Sequence, residues 1–361
     1  MKKKIKFGTG AIPIPYDPRE VAFGAIITGA PVVDWEVGFD VEDEIGKLIV
    51  ENQGASQSCV ANGWSKYAEA LDRYDRKYWL SMNKTITPDM IYPKVDLSAR
   101  FIYSQIYLPQ GGAYIYKGGT VLTSKGDASE VLIPSYQDGK PPTEDFMRVA
   151  DLSPEVIADA AQYQGSSYAS VNVNNIDELA YAIQKNKGVV MGFQGDSNTM
   201  TTAFIQKPVN PEWGHAVYCT GFKIINGKKY IKFINSWSAQ WGENGYGYIG
   251  EEWFGSSYLF NAYTLVDIPQ NWKQITQMLK LIKLADKAEQ YIVVENTRYA
   301  IPDLETKALF RDKLKIILDE PQIVSDLNAF QDGGKLPSVS VCNSIAGIYS
   351  VLKDAFEVNA S

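Results

Sequence analysis

Between Ser58 and about Leu80, apolar residues return every three or four positions. Val60, Trp64, Tyr67, Ala68 and Leu71 fall on one face, the period of an amphipathic helix. Ser56 or Ser58 can cap its start, which places Cys59 in the first turn. Residues 154–162 and 176–185 predict two further helices, the second capped by Asn174 or Asn175 and followed by Gly188. From Val189 onward the period drops to two. Residues 189–193, 215–219, 230–234 and 245–249 predict strands, and Asn226-Gly227 between the second and third is a hairpin signal. Helices in the first half and antiparallel strands in the second define an α+β chain.

The flanks follow other rules. Residues 1–30 are rich in Gly and Pro and have no period, which predicts an extended leader. Its apolar residues Ile12, Ile14, Val21 and Phe23 can pack on the back of the domain or lie across the cleft as an inhibitor, and the back is the expected course. Beyond Pro269 the spacing predicts helices over 272–288, 303–318 and 321–330, with short strands at 291–294 and 298–301 between them. The expected division is a leader at 1–30, a main domain at 31–268 and a small α/β C-terminal module at 269–361. That module is a candidate for binding a partner chain or a cell wall. Two glycine pairs, Gly111-Gly112 and Gly118-Gly119, lie in a tyrosine-rich stretch read as loop.

Composition narrows the functions. A chain of 361 residues, 45% hydrophobic and 21% charged, has room for a large core and more than one domain. A net charge of -7 argues against nucleic acid or an anionic membrane surface as partner. Three cysteines, Cys59, Cys219 and Cys342, make no disulfide framework. One histidine and scattered cysteines make no metal site, and no cofactor is expected. No apolar run approaches the roughly 18 residues of a membrane span. The N-terminal lysines have no apolar segment behind them, so no secretory signal is expected. The compartment stays open.

That one histidine, His215, concentrates any imidazole chemistry. Upstream lies Cys59, and twenty residues downstream Asn235-Ser236-Trp237. A cysteine, a histidine and an asparagine in this order supply a nucleophile, its base and the group that orients the base. A helix N-terminus and a nearby imidazolium both favour the thiolate. His215 and Asn235 fall on successive strands of the expected hairpin, where cross-strand contact is natural, and Trp237 can shield their hydrogen bond. Gln53, six residues before the cysteine, can donate to a developing oxyanion. Each piece alone has an ordinary structural reading. Their order, contexts and uniqueness carry the case.

The stretch Asn52-Gln53-Gly54 to Cys59, then Gly214-His215-Ala216-Val217, Asn235-Ser236-Trp237 and Trp241-Gly242-Glu243-Asn244-Gly245-Tyr246 resembles the papain family of cysteine peptidases. Val33-Asp34-Trp35 is similar to the start of the mature enzymes, and the likeness runs over about residues 31–265. It implies a two-lobed fold, helical on one side and barrel-like antiparallel β on the other, with a cleft between. It implies Gln53 as oxyanion donor, Cys59 as nucleophile, His215 as acid and base, and Asn235 as its orienter, acting on a peptide or protein substrate. Gly118 and Gly119 are the expected backbone-pairing substrate glycines, with Gly111-Gly112 as competitors.

The departures are informative. Ser56 stands where the family carries a disulfide-bonded cysteine, and Val60 where it carries an aromatic. The gap from Cys59 to His215 exceeds the roughly 130–150 residues of that signature, which loop insertions near 137–150 can absorb. These features fit a bacterial or phage-type member. The alternatives are a non-catalytic binding or structural protein on the same scaffold, and a cysteine-dependent cell-wall amidase or endopeptidase. The intact set of four weighs against the first. The Asn-Ser-Trp and Trp-Gly-Glu-Asn-Gly-Tyr segments weigh against the second.

Overall fold

The structure, a computed structural model, describes residues 8–14, 22–26, 31–82, 96–266, 280–285, 288–294, 297–301, 322–324, 326–327 and 331–335. The chain divides into two units, Met1–Asp267 and Ile268–Ser361.

In the first unit a short helix, α1 (Phe23–Ile26), and a two-residue strand, β1 (Phe39–Asp40), precede α2 (Val41–Ile45). The long helix α3 spans Cys59–Met82. The Ser58 carbonyl accepts from the Asn62 amide at 3.0 Å, which closes its first turn and fixes Cys59 there. Val60, Trp64, Tyr67, Ala68 and Leu71 are all buried, as the period of three and four predicts. Besides the short α1, α2 and a later four-residue helix, two longer helices escaped that reading. These are α4 (Ala99–Ile106), capped by the Ser98 side chain on the Phe101 amide, and α5 (Ile115–Ser124). Both pack on α3. Next come α6 (Glu144–Met147), capped by Thr143, and α7 (Pro154–Ala160), with proline in its first turn.

The sheet begins with β2 (Ser167–Val171) and continues after α8 (Ile176–Asn186), whose cap Asn175 accepts from the Asp177 and Glu178 amides. Then follow β3 (Val189–Gly195), β4 (Trp213–Ile225), β5 (Lys228–Ile234), β6 (Tyr246–Gly250) and β7 (Leu259–Val266). The order is β2-β7-β3-β4-β5-β6, with β1 added on β4. The pairs along this path are antiparallel. The β4–β5 hairpin turns at Asn226-Gly227, both with positive φ (52° and 75°), as a two-residue turn of that type requires. The α+β layout with an antiparallel sheet is as expected, and among the described residues the sheet does not close into a barrel. Helix α3 packs on β4. There Tyr67 stacks on Tyr218 with centroids 5.0 Å apart, beside fully buried Trp64. Burying aromatics of this size contributes roughly 1.5–3 kcal/mol each.

The described part of the second unit is a five-stranded sheet. Strands β8 (Lys280–Leu284), β9 (Gln290–Val294), β10 (Thr297–Ala300), β11 (Gln322–Val324) and β12 (Gln331–Lys335) lie in the order β11-β8-β9-β10-β12. The strands predicted near 291 and 298 are present. Helices predicted over 272–288 and 321–330 are corrected where described, because Lys280–Leu284 and Gln322–Val324 are strands. The helix predicted at 303–318 lies outside the described residues.

Candidate active site

His215 and Asn235 meet where β4 and the end of β5 come together. His215 Nε2 lies 2.8 Å from Asn235 Oδ1. The same oxygen accepts from the Ser236 backbone amide at 2.8 Å. An oxygen taking a backbone N–H fixes the amide orientation, so His215 must present Nε2–H. The neutral ring then carries its lone pair on Nδ1. Trp237 lies over this pair, its ring centroid 4.8 Å from that of His215, and Phe193 meets the imidazole edge-on at 5.7 Å. Water is kept from the hydrogen bond.

Gln53 is set by the same loop. Its backbone amide donates to the Ser236 carbonyl at 2.9 Å, and Ser236 Oγ donates to Gln53 Oε1 at 2.5 Å. The Gln53 amide nitrogen is therefore left to donate. It does so to the Ser56 carbonyl at 2.8 Å and the Gly8 carbonyl at 3.1 Å. Ser56 Oγ donates to the Gln53 carbonyl and lies 2.8 Å from Ser58 Oγ, which accepts from Asn62 Nδ2 at 3.0 Å. A chain of buried hydrogen bonds thus braces the loop ahead of Cys59.

Residues 8–14 of the leader do not pack on the back of the domain. They thread between these residues and the loop at Gly111–Ala113, and for them that expectation is corrected, whereas Phe23 is buried beside β2 and α8. The Gly8 amide donates to the Gly54 carbonyl, and the Gly10 and Ala11 amides both donate to the Gly214 carbonyl. Ala113 exchanges backbone bonds with the leader: its amide donates to Gly10 at 2.8 Å, and its carbonyl accepts from Ile12 at 3.1 Å. The Gly8 carbonyl also accepts from Trp237 Nε1 at 3.1 Å. Thirty residues without periodicity signalled an extended path but not where it runs.

Cys59 is fully buried beneath this segment. Burial pushes its thiol up to about 11, although the amides of Ala216, Gly10, Val60 and Ala11 around the sulfur favour the thiolate. Burial pushes His215 down to about 4, against the opposing effect of Asn235. His215 Nδ1 is buried without a hydrogen-bond partner. Both shifts favour the neutral thiol and the neutral imidazole over the ion pair expected from the sequence, and no hydrogen bond joins the two groups.

The expected substrate glycines are displaced too. Gly118 and Gly119 lie inside α5 against Trp64, and a Cβ on Gly118 would fall 2.1 Å from the indole Cδ1. They allow helix packing and do not face the cleft. The competing pair does: a Cβ on Gly112, whose φ is 74°, would lie 2.3 Å from the Gly10 carbonyl oxygen. The tyrosines around Gly118 suggested loop, while buried Ile115, Val121 and Leu122 were the missed helical signal.

A helix opening on a cysteine, set against a sheet carrying a histidine–asparagine pair, is the arrangement of the papain-like cysteine peptidases. Residues 136–258 match the papain family cysteine proteases. A cysteine protease of Blomia tropicalis is 24% identical over 217 residues, which cover 58% of this chain and 60% of that protein. Among solved structures, xylellain, a cysteine protease from Xylella fastidiosa, superposes with a TM-score of 0.55 at 23% identity, covering 74% of this chain and 99% of that one. The digestive procathepsin L2 proteinase of Tenebrio molitor gives a TM-score of 0.52 at 19% identity, covering 72% and 78%. The fold is that of the papain-like cysteine peptidases, and residues 136–258 carry the match to the family. The matched residues include His215 and Asn235 but not Gln53 or Cys59.

Proposed function

We propose that the protein hydrolyses peptide bonds through a thioacyl-enzyme on Cys59, and that its described state is latent. In the open site, Nδ1 of His215 takes the thiol proton. The thiolate attacks the scissile carbonyl carbon, and the carbonyl oxygen becomes an oxyanion facing Gln53 Nε2. The C–N bond breaks and the imidazolium gives its proton to the leaving amine. Water, deprotonated by His215, then attacks the thioester and releases the acid and the thiol. Asn235 holds the ring throughout.

The observation that carries this reading is the Gln53 amide donating to a backbone carbonyl oxygen. It already performs on Gly8 the contact it would make with a substrate. The glycines of the leader support latency. A Cβ on Gly8 would lie 1.7 Å from the Ser56 carbonyl oxygen and one on Gly10 2.2 Å from that of Gln57. The segment fits only because both are glycine.

The test is cleavage of fluorescent casein, with and without mild proteolytic nicking of the leader, together with covalent capture by a peptidyl epoxide. Nicked protein should degrade casein and carry the epoxide on Cys59, and the Cys59→Ala variant should do neither. Capture at another residue, or casein turnover by Cys59→Ala, would refute the assignment.

A further inference from the structure

We infer that Glu144 is a positioning residue that sets the width of the cleft by tying its two rims together. One rim is the loop before the nucleophile, and the other is the Gly111–Ala113 loop. Glu144 Oε2 accepts from the Gln57 backbone amide at 2.7 Å, two residues from Cys59. Glu144 Oε1 accepts from Tyr103 Oη at 2.6 Å, and Tyr103 Oη in turn accepts from the Gly112 amide at 3.0 Å. One carboxylate therefore reaches both rims, directly on one side and through a phenol on the other.

The geometry makes this tie strong. Hydrogen bonds to a carboxylate are short and about twice as strong as neutral ones, and a relayed hydroxyl is polarised by the charge at its end. Tyr103 is fully buried, and burial together with Glu144 raises its pKa, so the phenol stays a donor. Glu144 is held in turn by Arg148 Nε at 2.9 Å. The segment ahead of it is seated on the same loop, since a Cβ on Gly54 would lie 2.7 Å from the Pro142 carbonyl oxygen. Ser56 forms only hydrogen bonds where the resemblance expects a covalent tie. The stretch read in the sequence as an insertion thus supplies the bond across the cleft. The inference rests on the proposed roles of Cys59 and Gln53, but its test does not require catalysis.

The full chain is compared with Glu144→Ala, Glu144→Gln and Tyr103→Phe by amide hydrogen exchange and by iodoacetamide alkylation. In Glu144→Ala both the Gln57 and Gly112 segments should exchange about ten-fold faster, the scale of one lost charge-assisted bond. The leader should loosen, and Cys59 should be alkylated faster by a similar factor. Cys219, buried in β4 away from the rims, is the internal control and should not change. In Tyr103→Phe only the Gly112 segment should speed up. Glu144→Gln, with one acceptor oxygen in place of two, should fall between. Unchanged exchange at both rims, or Cys59 and Cys219 rising together, would overturn the inference. If Glu144→Ala does not fold, Tyr103→Phe decides alone: equal effects at Gln57 and Gly112, or none, refute the relay. A protein that shows the rim effects yet never cleaves casein would refute the peptidase reading and leave the tie intact.

Discussion

Gln53 donates its side-chain amide to the carbonyl oxygen of Gly8, 45 positions earlier in the chain. The donor proposed for a substrate oxyanion is thus engaged by the protein's own backbone. Release of that backbone should govern reactivity before any chemistry does.

Gly10→Val tests the fit. The new side chain would strike the Gln57 carbonyl, a backbone atom that cannot swing aside. The leader should leave the cleft, and Cys59 should react with iodoacetamide at neutral pH about ten-fold faster or more. An unchanged alkylation rate would mean that the segment does not limit access.

Acid should release the leader as well. His215 is held near 4 in the closed state against an ordinary 6.5. A depressed histidine contributes stability that is present above 6.5 and lost as pH falls toward 4. The gap corresponds to a closed state favoured by roughly 3 kcal/mol less below pH 4 than above 6.5. Cys59, raised to about 11, acts at the other end: its contribution holds up to the ordinary thiol range and is lost as pH rises through 11. Buried Glu69 and Glu130, raised to about 8 and 7, favour the fold as pH falls, so a global melting curve would mix the two effects. Hydrogen exchange of residues 8–14 isolates the leader. Its protection, taken relative to the intrinsic exchange rate at each pH, should fall from pH 6.5 to 4, and protection that does not change with pH would contradict the linkage.

Gln53→Ala should lower kcat for casein by about 10²–10³, the usual loss of one oxyanion donor. Asn235→Ala frees the imidazole and should lower kcat while moving the acid limb of the pH profile. Steady-state kinetics on nicked protein measures both. Equal kcat in either variant would remove that residue from the mechanism.

Gly118→Ala should act on stability and not on the site. Its methyl would overlap the Trp64 ring, which is fully buried and donates to the Ile115 carbonyl at 2.8 Å. A loss of about 1–3 kcal/mol is expected from chemical denaturation, with KM on nicked protein unchanged. A raised KM at full stability would restore Gly118 to the cleft.

The parts of the site were legible because each sits in a local sequence context. Cys59 follows a serine of the kind that caps helices, His215 lies in a strand pattern, and Asn235 is two residues from Trp237. Residues whose partners are backbone groups left no such trace. Glu144 gave no signal, since an acid in the first turn of a helix is common for the helix's own sake. The leader gave none for its course, because Gly8 and Gly10 matter for the side chains they lack. Lys280–Leu284 was read as helix because a short run of leucine, isoleucine and lysine satisfies both periods, and only pairing partners decide.

A chain with one imidazole has one histidine signal. In the proton–nitrogen spectrum of this protein, the ring of His215 stands alone. Its tautomer, its titration and its rate of exchange between closed and open forms can be followed without assignment or mutation. The unpartnered Nδ1 should give the shift of a bare, unprotonated nitrogen for as long as the leader is in place.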